Sequence, residues 1–151
     1  MKFLLTKELG RLARWLRILG FDAVYHDSDN LGTLIIQALR DNRIIVTRRK
    51  AKVDDLEKKT VIIHSDKIQK QLQEVKAKLN LVVDEGKMFT RCTVCNETLK
   101  SVKKEEIKAE VPPYAYENHD AFMRCKNCRR VYWQGTHWGN VNKALKKLGI
   151  T

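Results

Sequence analysis

RCTVCNETL (residues 91–99) and RCKNCRRVYW (residues 124–133) hold all four cysteines of the chain. Each forms a Cys-x-x-Cys pair, Cys92 with Cys95 and Cys125 with Cys128, and 29 residues separate the pairs. Two residues between thiolates let one tight turn present both sulfurs to one ion. Two such turns complete a tetrahedral set of four sulfurs, which suits Zn2+. That set leaves no open position for water, so the expected metal is structural rather than catalytic. The long gap needs an excursion of its own, expected as strands. Knuckles of this kind often carry Gly after the second cysteine; Asn96 suits that left-handed place and Arg129 suits it poorly. A redox dithiol or disulfide is the competing reading of a single Cys-x-x-Cys, and two pairs in one chain favour the metal. With four cysteines filling the tetrahedron, His119 and His137 are not needed as ligands.

Lysine and arginine number 30 against 18 acidic residues, a formal net charge of +12, and both halves of the chain share the excess. Such a balance attracts polyanions; the plainer alternative is a solvated, lysine-rich surface. No apolar run approaches the ~20 residues that span a membrane. The opening Met1-Lys-Phe-Leu-Leu5 is too short for a secretory signal. The expectation is a cytoplasmic protein with reduced, metal-bound thiols and no membrane partner.

Upstream of the cysteines the chain alternates. Lys2–Leu5 reads as a strand, and Lys7–Leu19 as a helix with Leu9, Leu12, Ala13, Leu16 and Leu19 on one face. Arg11, Arg14 and Arg17 share the opposite arc, a row of guanidinium groups suited to phosphate, with an ordinary solvated face as the alternative. Gly20 stops this helix. A strand at Phe21–Tyr25, a polar turn at His26–Asn30, a helix at Leu31–Arg40 and a continuous apolar strand at Arg43–Thr47 follow. Arg48, Arg49, Lys50 and Lys52 make a basic loop at the end of that strand. Helix near Val53–Lys58, strand Thr60–Ile63 and amphipathic helix Lys67–Leu79 complete the pattern.

This alternation predicts an α/β fold, a parallel sheet flanked by helices, over residues 1–82. A linker at 83–90 and a zinc-ribbon module at 91–151, ending in a basic helix at Asn140–Leu148, would follow. Within the module, Leu99–Lys104 and Ile107–Val111 read as strands, and Pro112–Tyr116 as a rigid aromatic connection. Tyr132, Trp133, His137 and Trp138 read as ribbon core, with stacking on unpaired bases as the alternative. Ligand sites in such sheets lie at the carboxyl ends of the strands. Those ends here are Thr6-Lys7, the His26–Asn30 turn, Arg48–Lys52 and His64–Asp66.

The stretches LGRLARWLRILGFDAVYH (9–26), RIIVTR (43–48), RCTVCNETL (91–99) and VPPYAYENHDAFMRCKNCRRVYWQGTHW (111–138) occur in one order. Together they resemble the Mut-seven C-terminal ribonuclease family, a PIN-like α/β domain joined to a zinc ribbon. The resemblance covers the chain from Lys2 to about Trp138. It implies metal-dependent RNA cleavage, with carboxylates at the sheet edge holding Mg2+ or Mn2+ to activate water and neutralise the scissile phosphate.

The sequence departs from that family at the acidic positions. Thr6 stands where the first strand usually ends in Asp, and Arg49 where Asp usually follows Thr-Arg. The middle acidic position falls near Leu31–Thr33, and the nearby Asp27 and Asp29 are out of register. The expectation is therefore an RNA-binding protein on a PIN-like scaffold, degenerate in catalysis. It would bind structured or ribosomal RNA through Arg11, Arg14, Arg17, Arg48, Arg49, Lys50 and Lys52. Two rivals stay open. One is an active metal-dependent endoribonuclease using Asp27 and Asp29, with Asp54, Asp55 or Asp66. The other is a zinc-ribbon module for protein interaction or DNA binding.

Overall fold

Lys2–Thr6 (β1) has four of its five residues buried, as a strand covered on both faces must. A computed structural model describes residues 1–50 and 59–150, apart from the side chains of Thr136 and His137. After β1, a 3-10 turn at Lys7–Leu9 leads into α1 (Gly10–Ile18), then β2 (Asp22–His26), α2 (Leu31–Arg40), β3 (Ile44–Thr47), β4 (Thr60–Ile62) and α3 (Ile68–Leu79). The four strands form one parallel sheet in the order β2-β1-β3-β4. This is the expected α/β architecture. The helix expected at Val53–Lys58 lies outside the described residues, as does Lys52.

Alternation along β1 sends Phe3 and Leu5 to one face and Leu4 to the other. Phe3 and Leu5 meet Leu12 and Leu16 of α1 and Leu72 and Val75 of α3 in the main core. Leu4 meets Leu34 and Ala38 of α2 and Ile45 of β3 in a smaller core. The result is a helix–sheet–helix sandwich.

Helix α1 ends at Gly20, whose φ of +89° few other residues adopt cheaply. Phe21 N–H donates back to the Leu16 carbonyl at 2.9 Å. A Cβ on Gly20 would stand 2.2 Å from the backbone oxygen of Lys87. The stretch expected as a linker is thus packed against the end of α1. Phe89 N–H donates to Ile18 O at 2.8 Å, and Leu81, Val83, Met88 and Phe89 join the main core.

The cysteine-bearing part is a three-stranded antiparallel sheet, β5 (Lys100–Val102), β6 (Phe122–Arg124) and β7 (Val131–Trp133), with α4 (Pro113–Asn118) between β5 and β6. One local expectation is corrected here. Ile107–Val111 is not a strand: Lys104–Ile107 is a 3-10 turn, and Ile107 and Val111 bury against Phe122 to form a small core. The connection expected at Pro112–Tyr116 runs into a short helix. Pro113 starts α4, where its missing N–H costs no helical hydrogen bond.

The closing helix α5 (Thr136–Lys147) starts earlier than Asn140. It was expected to belong to the ribbon. Instead Val141 and Leu145, with Ile150 beyond its end, bury in the main core beside Phe3 and Leu12. The chain leaves the first core, builds the ribbon and returns. Among the described residues no helix is long and apolar enough to cross a membrane.

Candidate metal centre and nucleic-acid interface

The four cysteines converge. Their sulfurs all lie within 4.8 Å of one another, with Cys92 Sγ 3.4 Å from Cys128 Sγ and Cys95 Sγ 3.3 Å from Cys125 Sγ. A tetrahedral Zn2+ with bonds of about 2.3 Å sets sulfurs roughly 3.8 Å apart, close to this spacing. Among the described residues this is the one group of three or more His, Cys, Asp or Glu side chains that could hold a metal ion. His119 is not part of it, and the side chain of His137 is outside the described residues.

The two knuckles are near copies. Asn96 N–H donates to Cys92 O at 3.0 Å and Arg129 N–H to Cys125 O at 2.9 Å. Cys92 N–H donates to Glu97 O at 2.8 Å and Cys125 N–H to Arg130 O at 2.9 Å. Asn96 has φ +70° and Arg129 φ +64°. Arg129 therefore takes the left-handed place it was expected to fit poorly, at a cost of about 1–2 kcal/mol that metal binding can offset. Burial opposes ionisation of Cys92, but the Tyr132 hydroxyl 3.1 Å away and the knuckle's N–H groups outweigh it, bringing the thiol to about 6. Burial pushes Cys125 up to about 12. The donor set suits a soft cation such as zinc.

Three side chains fasten the first knuckle to the α/β part. Arg17 is only 7% exposed. Its Nε donates to Ala23 O at 2.8 Å, and its Nη1 to Thr93 O at 3.0 Å and Val94 O at 2.9 Å. Asn96 accepts from Ala23 N–H at 3.0 Å and donates to Asp22 Oδ1 at 2.8 Å. Asp22 also accepts from Arg43 Nη1 at 2.6 Å. Burial works against its ionisation, but the bonds from Arg43 and Asn96 hold its carboxyl below the ordinary range. Arg17 was expected on an exposed phosphate-binding row; it is corrected to a buried clasp. Helical periodicity places it on that arc, but the ribbon covers its end. Arg11 and Arg14 remain exposed. The ribbon docks where β2 begins, at the opposite end of the sheet from the carboxyl-terminal rim.

At that rim the side chains neutralise one another. Glu8 Oε1 accepts from the Thr6 hydroxyl at 2.6 Å and from Arg48 N–H at 3.1 Å, and the Thr47 hydroxyl lies 3.4 Å away. Its other oxygen is 3.7 Å from Arg49 Nε. Burial raises the Glu8 carboxyl, but these donors, Thr6 foremost, lower it overall. Asp29 accepts from Lys7 Nζ and Arg49 Nη2, each at 2.6 Å, and those two bonds hold its carboxyl below the ordinary range. The space enclosed is about 40 Å³, room for a few waters.

Of the acids singled out in sequence, Asp29 reaches this rim network. Asp27 is exposed and joins no ion pair among the described residues. Asp66 is exposed, and Asp54 and Asp55 lie outside the described residues. Of the basic loop, Arg48 and Lys50 are exposed and Arg49 is engaged by Asp29 and Glu8. Glu8 was missed because Lys7–Leu9 reads as the start of α1; the 3-10 turn there keeps it at the rim. Asp22 and Asn96 were missed as partners because 74 residues separate them.

Comparison with curated proteins and with solved structures found no match. The family model of the Mut7-C RNAse domain matches residues 1–145 of the 151. With its parallel sheet, its paired knuckles and that match along nearly its whole length, this chain belongs to the Mut7-C RNAse domain family.

Proposed function

We propose that the protein binds RNA on a PIN-like ribonuclease scaffold without cleaving it, and that the four cysteines hold a structural Zn2+. One observation carries this reading: a nuclease of this type needs free carboxylates at the strand ends, and here Thr6 and Arg49 stand in their places. Two of the acids at the rim, Glu8 and Asp29, are already engaged by hydroxyls, an N–H, Lys7 and Arg49. A divalent cation would have to displace two cations and stand beside a guanidinium, which Coulomb repulsion opposes. The net charge of +12 supports polyanion binding. Exposed Arg11, Arg14, Arg48 and Lys50 are the side chains best placed for phosphate. A structured or ribosomal RNA is the partner class this charge and the zinc-ribbon analogy favour, in a cytoplasmic setting where thiols stay reduced.

The rival ribonuclease draws on one observation, that Glu8 and Asp29 both touch Arg49 and so lie near each other. Binding and cleavage of a labelled RNA, read from the same samples with zinc-loaded protein, Mn2+ and a range of salt, separates the readings. Salt-steep binding without cleavage is expected. Mn2+-dependent cleavage abolished by Asp29→Asn would restore the nuclease. Binding indifferent to salt, or equal for duplex DNA, would favour an interaction module.

A further inference from the structure

Helix α1, the start of the ribbon and α5 enclose a groove of about 400 Å³. Its size matches sites for small organic groups, which start near 300 Å³, and it is about ten times roomier than the space at the rim. Three arginines line it, Arg11, Arg14 and Arg91, and among the described residues no carboxylate does. Arg91 is held by its own carbonyl contacts, Nη1 donating to Asn96 O at 2.9 Å. Arg11 and Arg14 take part in no ion pair or side-chain hydrogen bond among the described residues.

The rest of the lining is mainly aromatic and apolar. Trp15, Phe89, Tyr132 and Trp138 all face the groove. Phe89 and Trp138 lie parallel, with ring centroids 3.8 Å apart and an interplanar angle of 15°. That pair forms a rigid platform, held from below because Phe89 also packs on the main core. A partly exposed aromatic platform beside unpaired guanidinium groups matches the chemistry of an unpaired base and its flanking phosphates. Bases stack on aromatic faces, and arginine forks take phosphate oxygens. A duplex buries its base faces and could offer only phosphates.

We infer that this groove binds an unpaired nucleotide of a single-stranded RNA segment, its base stacked in the aromatic lining and its phosphates on Arg11 and Arg14. The assignment rests on the RNA-binding reading and makes it specific. The strand-end rim would engage phosphates of any RNA through Arg48, whereas the groove selects strands with a base free to stack. The site follows α1 away from the rim towards the ribbon, so ribbon folding completes it: Arg91, Thr93 and Tyr132 belong to the cysteine-bearing part.

The test uses the whole zinc-loaded chain and two fluorescein-labelled RNAs, a single strand and a blunt-ended duplex of equal charge. Arg11→Gln with Arg14→Gln alters two exposed side chains and leaves the core intact. It should weaken single-strand binding on the order of tenfold and lower its salt slope by about 1.4, with less effect on the duplex. Trp138→Leu should weaken the single strand selectively, and Arg48→Gln should weaken both RNAs alike. Single-stranded RNA should quench tryptophan emission, and the duplex should not. Unchanged single-strand affinity in the Arg11/Arg14 variant, while Arg48→Gln still weakens binding, overturns the groove and leaves the RNA-binding reading standing. Absence of binding to either RNA overturns both. Adenosine monophosphate displacing the strand at equal concentration would overturn the strand assignment in favour of a free nucleotide.

Discussion

Arg17 donates from Nη1 to the carbonyl of Val94 at 2.9 Å, across 77 residues of sequence, and the same nitrogen reaches Thr93 O at 3.0 Å. A helix of the parallel-sheet domain thus holds the carbonyls that lie between the first two cysteines. Burial pushes this guanidinium below its ordinary pKa, and the charges of nearby Cys92 and Cys95 only partly oppose that effect. The guanidinium would also offset the net charge of −2 on a Zn2+ bound by four thiolates.

Arg17→Ala should therefore destabilise the protein by about 3 kcal/mol, because hydrogen bonds to a charged donor are lost and one buried and two part-buried carbonyls are left short of partners. Arg17→Lys should recover less than half, since one ammonium cannot reproduce the planar fork. Urea unfolding monitored by tryptophan emission measures this. A midpoint unchanged in Arg17→Ala would mean the knuckle docks without the clasp.

The rim network predicts what would restore acid chemistry. Thr6→Asp with Arg49→Asp removes one cation and adds two carboxylates beside Glu8 and Asp29. The double variant should bind Mn2+ in the sub-millimolar range, more tightly than the parent, and gain Mn2+-dependent RNA cleavage. Isothermal titration with Mn2+ reads the first effect and a labelled-RNA assay the second. A variant that folds and binds no Mn2+ would show that the rim geometry, not its charge, has been lost.

Removing the metal with a strong chelator should abolish hydrogen-exchange protection in β5, β6 and β7 and in both knuckles. Protection should persist in β1 and β3, at the centre of the parallel sheet. The melting temperature of that remainder should fall, because the contacts of Arg17 and Asn96 with the knuckle go with the metal. Loss of protection everywhere at once would show a single cooperative unit.

Glu74 makes stability pH-dependent. Burial disfavours its charge, yet the N–H groups of His64 at 2.9 Å and Ser65 at 2.8 Å bring its carboxyl down to about 2. A carboxyl depressed in the folded state contributes stability that is complete above its unfolded value near 4.5 and is lost as pH falls towards 2. Discounted for the solvent that still reaches the carboxylate, the contribution at neutral pH is about 1–2 kcal/mol. Glu74→Gln should lower stability at pH 7 by about that amount and leave it little changed at pH 2, which urea midpoints at the two pH values will test. An equal loss at both would assign the effect to packing.

The sequence by itself determined the period of each element and the chemistry of the metal site. Leu9, Leu12, Leu16 and Leu19 encode a helix with one buried face, Phe3-Leu-Leu5 a strand buried on both, and two Cys-x-x-Cys pairs a four-sulfur knuckle set. These signals are local, carried by the 3.6- and 2-residue repeats and by the tight turn between paired thiolates. Only the tertiary structure decided what each polar arc faces. Arg11, Arg14 and Arg17 look equivalent along α1, yet two line an open groove and the third is sealed beneath the knuckle. Val141 and Leu145 look like ribbon helix, yet they fill the α/β core. Glu8 looks like a helix residue, yet a 3-10 turn keeps it among Thr6, Thr47 and Arg49. In each case the partner comes from a distant part of the chain. Periodicity specifies a direction around the element's own axis, and packing specifies which surface lies in that direction.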